Sequence, residues 1–455
     1  MNNTTEQANI ANSHRSKNSS KLIFLEITAV LLVVMSYFTT KYLMILAAVI
    51  LSIYILIEKE YTRIICVFFF MLPFSNIFNL GSTSLYLMLK IAIIFKWFIE
   101  NRTIERKSFL AIMIYVFYIT IISTIFGTIF GAVIRILNFA LWFLTIYIFG
   151  TKIKADTFYK VSIHYIGALL TSCVVALFAD SIPGLKEQIT DATILGSADR
   201  FSGLWNDPNT FSVFMGVGIV LTFLLYMKRY VMFKTVVALA LALTVFSLYS
   251  YSKMCLLIVT AIWIGIIMFG KTLSITKRIG IILGLAVTCA VIYFIFPQII
   301  EVYLMRLIND SANNFSFDSV TTKRSSIWQM YISSMSENPI EWILGNGINC
   351  TLPNNRAAHQ TVLQVIYQIG IIGMIIYIYT LGCILSVIKR QTHNERRKKI
   401  QDIIPIVPIF IIIFGAMFLD YFFLENFYFL LFLGVIAYYG SRGNEQIHLF
   451  RNRPF

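Results

Sequence analysis

The amino-acid sequence specifies an all-α, polytopic integral membrane protein with about fourteen transmembrane helices. Of 455 residues, 58% are hydrophobic and only 13% are charged, whereas soluble domains are about 45 to 50% apolar. Uncharged apolar stretches recur from Leu22 to Tyr439. At about 20 residues per crossing of a roughly 30 Å hydrocarbon layer, fourteen crossings use about 280 residues, which leaves little chain for loops. The basic residues alternate in density along the chain. Of the 37 Lys and Arg, about 26 fall in the two tails and alternate connections and about 8 in the others, which places both termini in the cytoplasm. A soluble multidomain enzyme is excluded.

The segments follow in order. Residues 1–21 are polar and rich in Asn and Ser. The apolar stretch after them lacks a small-residue cleavage site, so it is expected to remain as an uncleaved first helix, 22–40. Helices are expected next at 42–57, 62–79 and 84–99, the last containing Lys90 and Lys96, for which snorkelling to the headgroups is the simple account. Then come 108–126, 131–149 and 161–179. A connection of about 30 residues, 180–209, precedes four closely spaced helices at 210–227, 235–250, 254–270 and 279–296. A second connection of about 60 residues, 297–360, separates these from 361–387, 403–420 and 426–440. Residues 22–440 thus form one transmembrane domain, followed by a basic cytoplasmic tail, 441–455. The hydropathy pattern shows no internal repeat.

The net charge of +15 would suggest nucleic acid in a soluble chain. Its strongest cluster, Lys389, Arg390, Arg396, Arg397, Lys398 and Lys399, lies in one short inner loop, where orientation and anionic lipid account for it. Membrane lipids are the expected partner, and nucleic acid is not. The six cysteines are scattered with no CxxC pair, which indicates neither a metal site nor a disulfide framework. No Walker-type loop and no G-x-G-x-x-G after a strand is present, so no nucleotide cofactor is expected.

The two long connections fall on the outer side and carry nearly all its charge, so function is sought there. The first ends Arg200-Phe201-Ser202-Gly203-Leu204-Trp205-Asn206-Asp207-Pro208-Asn209. Asp207 suits an N-cap and Pro208 a first helical turn. Arg200 is a candidate anion ligand, although a surface ion pair or a lipid phosphate would also use it. The second contains Thr322-Lys323-Arg324-Ser325-Ser326-Ile327-Trp328, which reads as an amphipathic surface helix with Arg324 near its start. A cation there opposes the helix dipole but helps to hold an anion, and guanidinium forks onto phosphate oxygens. Asn338 to Gly347 is a short apolar segment ending in a glycine turn. It is consistent either with a dip into the interface or with ordinary packing.

Of five histidines, only His359 is expected at the outer end of a helix; a neutral imidazole there suits a general base, though a structural role is common. Arg135, a few residues into its helix from the outer end, is a candidate substrate-binding residue and third diphosphate ligand, with snorkelling as the simpler account. Asp420 and Glu425 flank the last outer turn, where they could orient His359 or touch sugar hydroxyls; two acids in a tight turn are expected to be solvated and are left out of the catalytic set.

Arg200 with Gly203, Arg324 before an aromatic amphipathic stretch, and His359-Gln360-x9-Gly370-x-x-Gly373 together resemble the Wzy-type polysaccharide polymerase and O-antigen ligase superfamily. The last pattern is similar to that family's H-[NSQ]-x9-G-x-x-[GTY] signature. The likeness covers roughly Arg200 to Gly373. It implies a metal- and cofactor-independent glycosyl transfer from an undecaprenyl-diphosphate-linked oligosaccharide donor to a hydroxyl of a second lipid-linked unit, on the outer face of the bacterial cytoplasmic membrane. His359 would be the base, with Arg200 and Arg324 on the departing diphosphate. The resemblance leaves room for flippase and chain-length regulator partners. Ligation of finished glycan to a lipid or protein uses the same chemistry, and a transporter or flippase of lipid-linked glycan is the alternative from another class.

Overall fold

The computed structural model describes residues 3–81, 83–100, 103–154, 156–189, 201–205, 207–270, 273–295, 297–312, 324–391 and 403–441. Among these residues the chain is helical almost throughout. The helices are α1 (Asn3–Phe38), α2 (Tyr42–Ile57), α3 (Tyr61–Met71), α4 (Tyr86–Ile99), α5 (Arg106–Ile125), α6 (Ile129–Lys152), α7 (Thr157–Leu177), α8 (Leu185–Ile189) and α9 (Pro208–Met227). They continue as α10 (Phe233–Leu248), α11 (Lys253–Phe269), α12 (Ile275–Ile295), α13 (Pro297–Ala312), α14 (Arg324–Glu337), α15 (Pro339–Leu344), α16 (Thr361–Gln391), α17 (Val407–Ala416) and α18 (Glu425–Gly440). The one strand pairing described is a two-residue antiparallel hairpin, Asn79–Leu80 with Thr83–Ser84.

A helix occupies each of the fourteen apolar stretches. Seven of the described helices, α1 from Ser20 onward and α5, α6, α7, α9, α12 and α16, are long and apolar enough to cross a membrane. Others, such as α2, α10 and α11, are apolar but shorter. The span 297–360 is more than a connection, since it carries α13, α14 and α15.

The bundle is organised around α9, which packs against α7, α10, α11 and α17. Nearly every residue from Pro208 to Leu225 is buried, as expected of a helix apolar on all faces. Two glycines permit the close approach. A Cβ on Gly216 would lie 2.8 Å from Ile258, and one on Gly218 would lie 2.6 Å from Leu169, so α11 and α7 press on nearly opposite sides.

Helix α9 begins as the Asp-Pro pair predicts. The Asp207 carboxylate accepts from the Asn209 and Thr210 amides at 3.0 and 3.2 Å, and Pro208 occupies the first turn. Just upstream, Gly203 turns at φ +60°, and a Cβ there would meet the Phe211 ring at 2.8 Å. The turn lays Phe201 edge-on to Phe211 and tilts Trp205 over Phe214.

Candidate functional site

The site is assembled at the end of the bundle where α9 and α16 begin. Helix α14 lies over the first turns of α16 through Ile327, Tyr331 and Met335, spaced four residues apart on one face. They share a small apolar cluster with Ala358 and Tyr367, separate from the main core. The aromatic residues of α14 also fix the chain before α16. Trp328 Nε1 donates to the Ala358 carbonyl at 2.9 Å. The Tyr331 hydroxyl donates to the Arg356 carbonyl at 2.7 Å and lies 3.2 Å from Gln364 Oε1, which accepts the Ala358 amide at 3.0 Å. Ala358 is therefore bonded through both backbone groups, and the next residue, His359, takes φ +49°, an uncommon left-handed conformation for a non-glycine residue.

Arg324 opens α14 and His359 precedes α16 by two residues, yet the two lie in one electrostatic neighbourhood with Asp207. Burial against the surrounding protein and the Arg324 guanidinium hold the His359 pKa below its ordinary value, with Asp207 pulling in the opposite direction. The residue as a whole nevertheless remains exposed at the surface. Such a histidine is neutral at neutral pH and able to take a proton. Arg324 is half-buried, and its nearest described carboxylate influence is Asp207. That carboxylate is engaged: besides the two amides, it accepts from Asn209 Nδ2 at 3.1 Å and Thr210 Oγ1 at 2.9 Å.

The first glycine of the Gly370-x-x-Gly373 pair breaks a helix. Gly370 has φ +69° and ψ 177° inside α16, so the carbonyls before it lose their intrahelical donors. Each finds another. The Tyr367 carbonyl accepts from the Asn346 amide and the Gln368 carbonyl from the Gly347 amide, both at 2.9 Å, while the Ile369 carbonyl accepts from the Tyr118 hydroxyl, also at 2.9 Å. The donors Asn346 and Gly347 follow the short helix α15, whose end lies directly on the break. A Cβ on Gly370 would sit 2.2 Å from the Ile343 carbonyl oxygen, and one on Gly345 would sit 2.5 Å from the Gln368 carbonyl. Gly373 admits the Tyr118 ring, 2.6 Å from where its Cβ would be. The short apolar segment foreseen in the sequence is thus docked into a helix break, the usual way irregular backbone is satisfied within a bundle.

A second group of polar residues flanks the start of α16. The Thr361 hydroxyl donates to the Leu419 carbonyl at 2.7 Å and accepts from the Tyr421 amide at 3.0 Å, which fixes Asp420 between them. The Asp420 carboxyl accepts from the Phe422 amide at 3.2 Å. Burial raises its pKa to about 6 against the opposing influence of that amide and of Arg135. Arg135 is half-buried, with its guanidinium 4.2 Å from the centre of the Phe423 ring.

Several expectations need correction. Glu425 is not solvated: it forms an ion pair with Lys90 and accepts from Trp142 Nε1 at 3.1 Å. Lys90 does not snorkel, being 1% exposed. Lys96 is also buried, donating to the Leu56 carbonyl at 3.0 Å. Asp420 is half-buried rather than free in solvent. Arg200 lies outside the described residues. The local sequence does not show that Thr361 and Arg135, 59 and 285 positions away, will flank Asp420.

Comparison of the chain with protein-family models, with curated proteins and with solved structures found no match in any of the three.

Proposed function

We propose that this chain is a polysaccharide polymerase of the bacterial cytoplasmic membrane. It transfers a glycan from an undecaprenyl-diphosphate-linked donor to a hydroxyl of another lipid-linked repeat unit, with about fourteen crossings, both termini in the cytoplasm and the site on the outer face. The observation that carries the reading is the meeting of His359 and Arg324. Thirty-five positions apart in the sequence, they share one neighbourhood at a bundle end where burial and Arg324 depress the His359 pKa and where, among the described residues, the hydrogen-bonded Asp207 carboxylate is the one whose charge reaches Arg324.

In the proposed reaction the acceptor hydroxyl oxygen forms a bond to the donor's anomeric carbon as the bond from that carbon to the diphosphate oxygen breaks. The hydroxyl proton passes to His359, and the bonding electron pair leaves with the diphosphate. Arg324, with Arg200, neutralises the charge that develops on the leaving group; preorganised charge of this kind is commonly the largest contribution to the rate. A base is useful here because its pKa lies near or below working pH while the oxygen it serves is losing its proton. The diphosphate is already a good leaving group, so no nucleotide needs to be hydrolysed.

The test is the length distribution of surface and lipid-linked glycan in cells lacking the gene, complemented with wild type or with His359→Ala at equal protein level. Single repeat units left on lipid, with no longer polymer, is the expected result. Unchanged polymer length would refute the role of His359 in polymerisation. Long polymer retained on its lipid would instead identify a ligase.

A further inference from the structure

We propose that Arg135, Asp420 and Phe423 form a sugar-binding subsite for the acceptor glycan, distinct from the Arg324 and His359 side that faces the donor diphosphate. The inference rests on the transferase reading above and gives Arg135 a different ligand from the diphosphate that its position in the sequence suggested.

Arg135 and Asp420 make an unfinished ion pair. Arg135 and Asp420 are near enough for each charge to act on the other. Among the described residues, however, neither makes an ion pair within 4.0 Å, and Arg135 makes no hydrogen bond. Asp420 has one recorded bond, from the Phe422 amide, although a carboxylate offers about four acceptor positions. Among the described residues, a guanidinium with open donors, held over Phe423, and a carboxyl with open acceptors three residues before that ring thus share one neighbourhood without bonding to each other.

Both groups are anchored. Arg135 belongs to a long helix, and its guanidinium lies over the Phe423 ring, 4.2 Å from its centre, a cation–π contact that restrains it. Asp420 is fixed by the two Thr361 hydrogen bonds to its neighbours. The turn carrying both Asp420 and Phe423 is anchored beyond them by Glu425 on buried Lys90 and on Trp142. Phe422 and Phe423 also pack against Phe139, four residues beyond Arg135 on the same helix.

The chemistry of the gap selects its ligand. A diphosphate would gain from Arg135 but be repelled by Asp420, whose acceptors remain open. At Arg324 the neighbouring Asp207 carboxylate is already occupied by four hydrogen bonds. A neutral polyol suits the Arg135 side. Its hydroxyls donate to the carboxylate and accept from the guanidinium, each at about 2.8 Å, while Phe423 holds the guanidinium in place. Thr361, two residues beyond His359, bonds to the backbone on both sides of Asp420, which ties the subsite to the chain segment that carries the base.

The test uses the full chain in lipid nanodiscs and two probes read by calorimetry or saturation-transfer NMR. One is a phosphate-free, lipid-free oligosaccharide cut from the cells' own surface polysaccharide; the other is inorganic pyrophosphate. Asp420→Asn and Arg135→Gln are each expected to weaken oligosaccharide binding at least tenfold while leaving pyrophosphate within twofold, and Arg324→Gln to do the reverse. Asp420→Asn is nearly isosteric and decides the matter if Arg135→Gln does not fold. Oligosaccharide binding unchanged in Asp420→Asn, absent from wild type, or replaced by a loss of pyrophosphate binding in Arg135→Gln would overturn the subsite. If the oligosaccharide binds as described while His359→Ala cells still make full-length polymer, the transfer reading fails and the sugar subsite stands.

Discussion

Replacing Gly370 by alanine should separate α15 from α16 without unfolding the bundle. Two costs combine. A backbone at φ +69° and ψ 177° is essentially restricted to glycine, and holding another residue there costs about 1–3 kcal/mol. The new methyl would also stand 2.2 Å from the Ile343 carbonyl oxygen, so α15 must move. That motion strains the amide bonds from Asn346 to Tyr367 and from Gly347 to Gln368, together worth about 1–3 kcal/mol. The sum, about 2–6 kcal/mol, shifts docking by roughly 30-fold to 10⁴-fold, since each 1.4 kcal/mol is tenfold. Gly184→Ala is the control, because Gly184 has the same φ of +69° with nothing within 4 Å of a built Cβ. It carries the strain of a positive φ without the collision. Hydrogen exchange across 339–349 in the full chain should therefore accelerate strongly in Gly370→Ala and little in Gly184→Ala, and, on the proposed function, polymer formation should fall only in the first. Equal exchange in the two variants would show that contact with α15 is not what reserves this position for glycine.

Other perturbations act through charge. Because burial and Arg324 depress the His359 pKa, the acid limb of the pH–rate profile should lie below the ordinary histidine value near 6.5. Arg324→Gln should move it upward and Asp207→Asn downward, and a limb that stays fixed in both would refute the electrostatic grouping. The same depressed pKa means that the stabilisation associated with neutral His359 is present above its unfolded pKa and disappears as pH falls through the folded one, so His359→Gln should reduce the acid sensitivity of thermal unfolding. Lys90→Met should lower stability by about 3–5 kcal/mol by leaving Glu425 buried without its partner. Most of the loss should return in Lys90→Met with Glu425→Gln, as thermal unfolding of the purified chain would show; a double variant no better than the single would mean that packing, rather than charge, dominates there.

How far the sequence foretells this structure depends on the range of the interaction concerned. Asp207 and Pro208 announce the start of α9 because capping is decided within four residues, and the fourteen apolar stretches announce their helices because each contains its own hydropathy. The apolar spacing of Ile327, Tyr331 and Met335 likewise marks the face by which α14 is attached. Other features remain hidden. Lys90 and Glu425 are 335 positions apart, and neither residue's surroundings identify the other, so a buried pair reads as one snorkelling cation and one solvated acid. The break at Gly370 is ambiguous for the same reason: two glycines three apart in a helix signal close packing, but only the chain ending at Gly347 determines that the packing partner is backbone.

The placement of glycine and charge has a physical logic that links the two halves of the candidate site. A general base must be held to a fraction of an ångström, whereas a polymer product must leave, so the base belongs on rigid structure and the substrates on open surface. His359 meets the first condition through Ala358, which is bonded on both sides by Trp328 and Gln364. The break at Gly370 helps from below, because it makes Thr361 to Ile369 a short independent segment held by α14, α15 and the turn carrying Asp420. On the proposed reading, Arg324 and Arg135 approach this same segment from two different helices. Donor and acceptor charges are then referenced to one rigid nine-residue element, and a shift of that element displaces the base relative to both substrates at once. Gly370→Ala should accordingly lower the rate at saturating substrate more than it weakens binding of either oligosaccharide or pyrophosphate, while Asp420→Asn should affect chiefly the oligosaccharide.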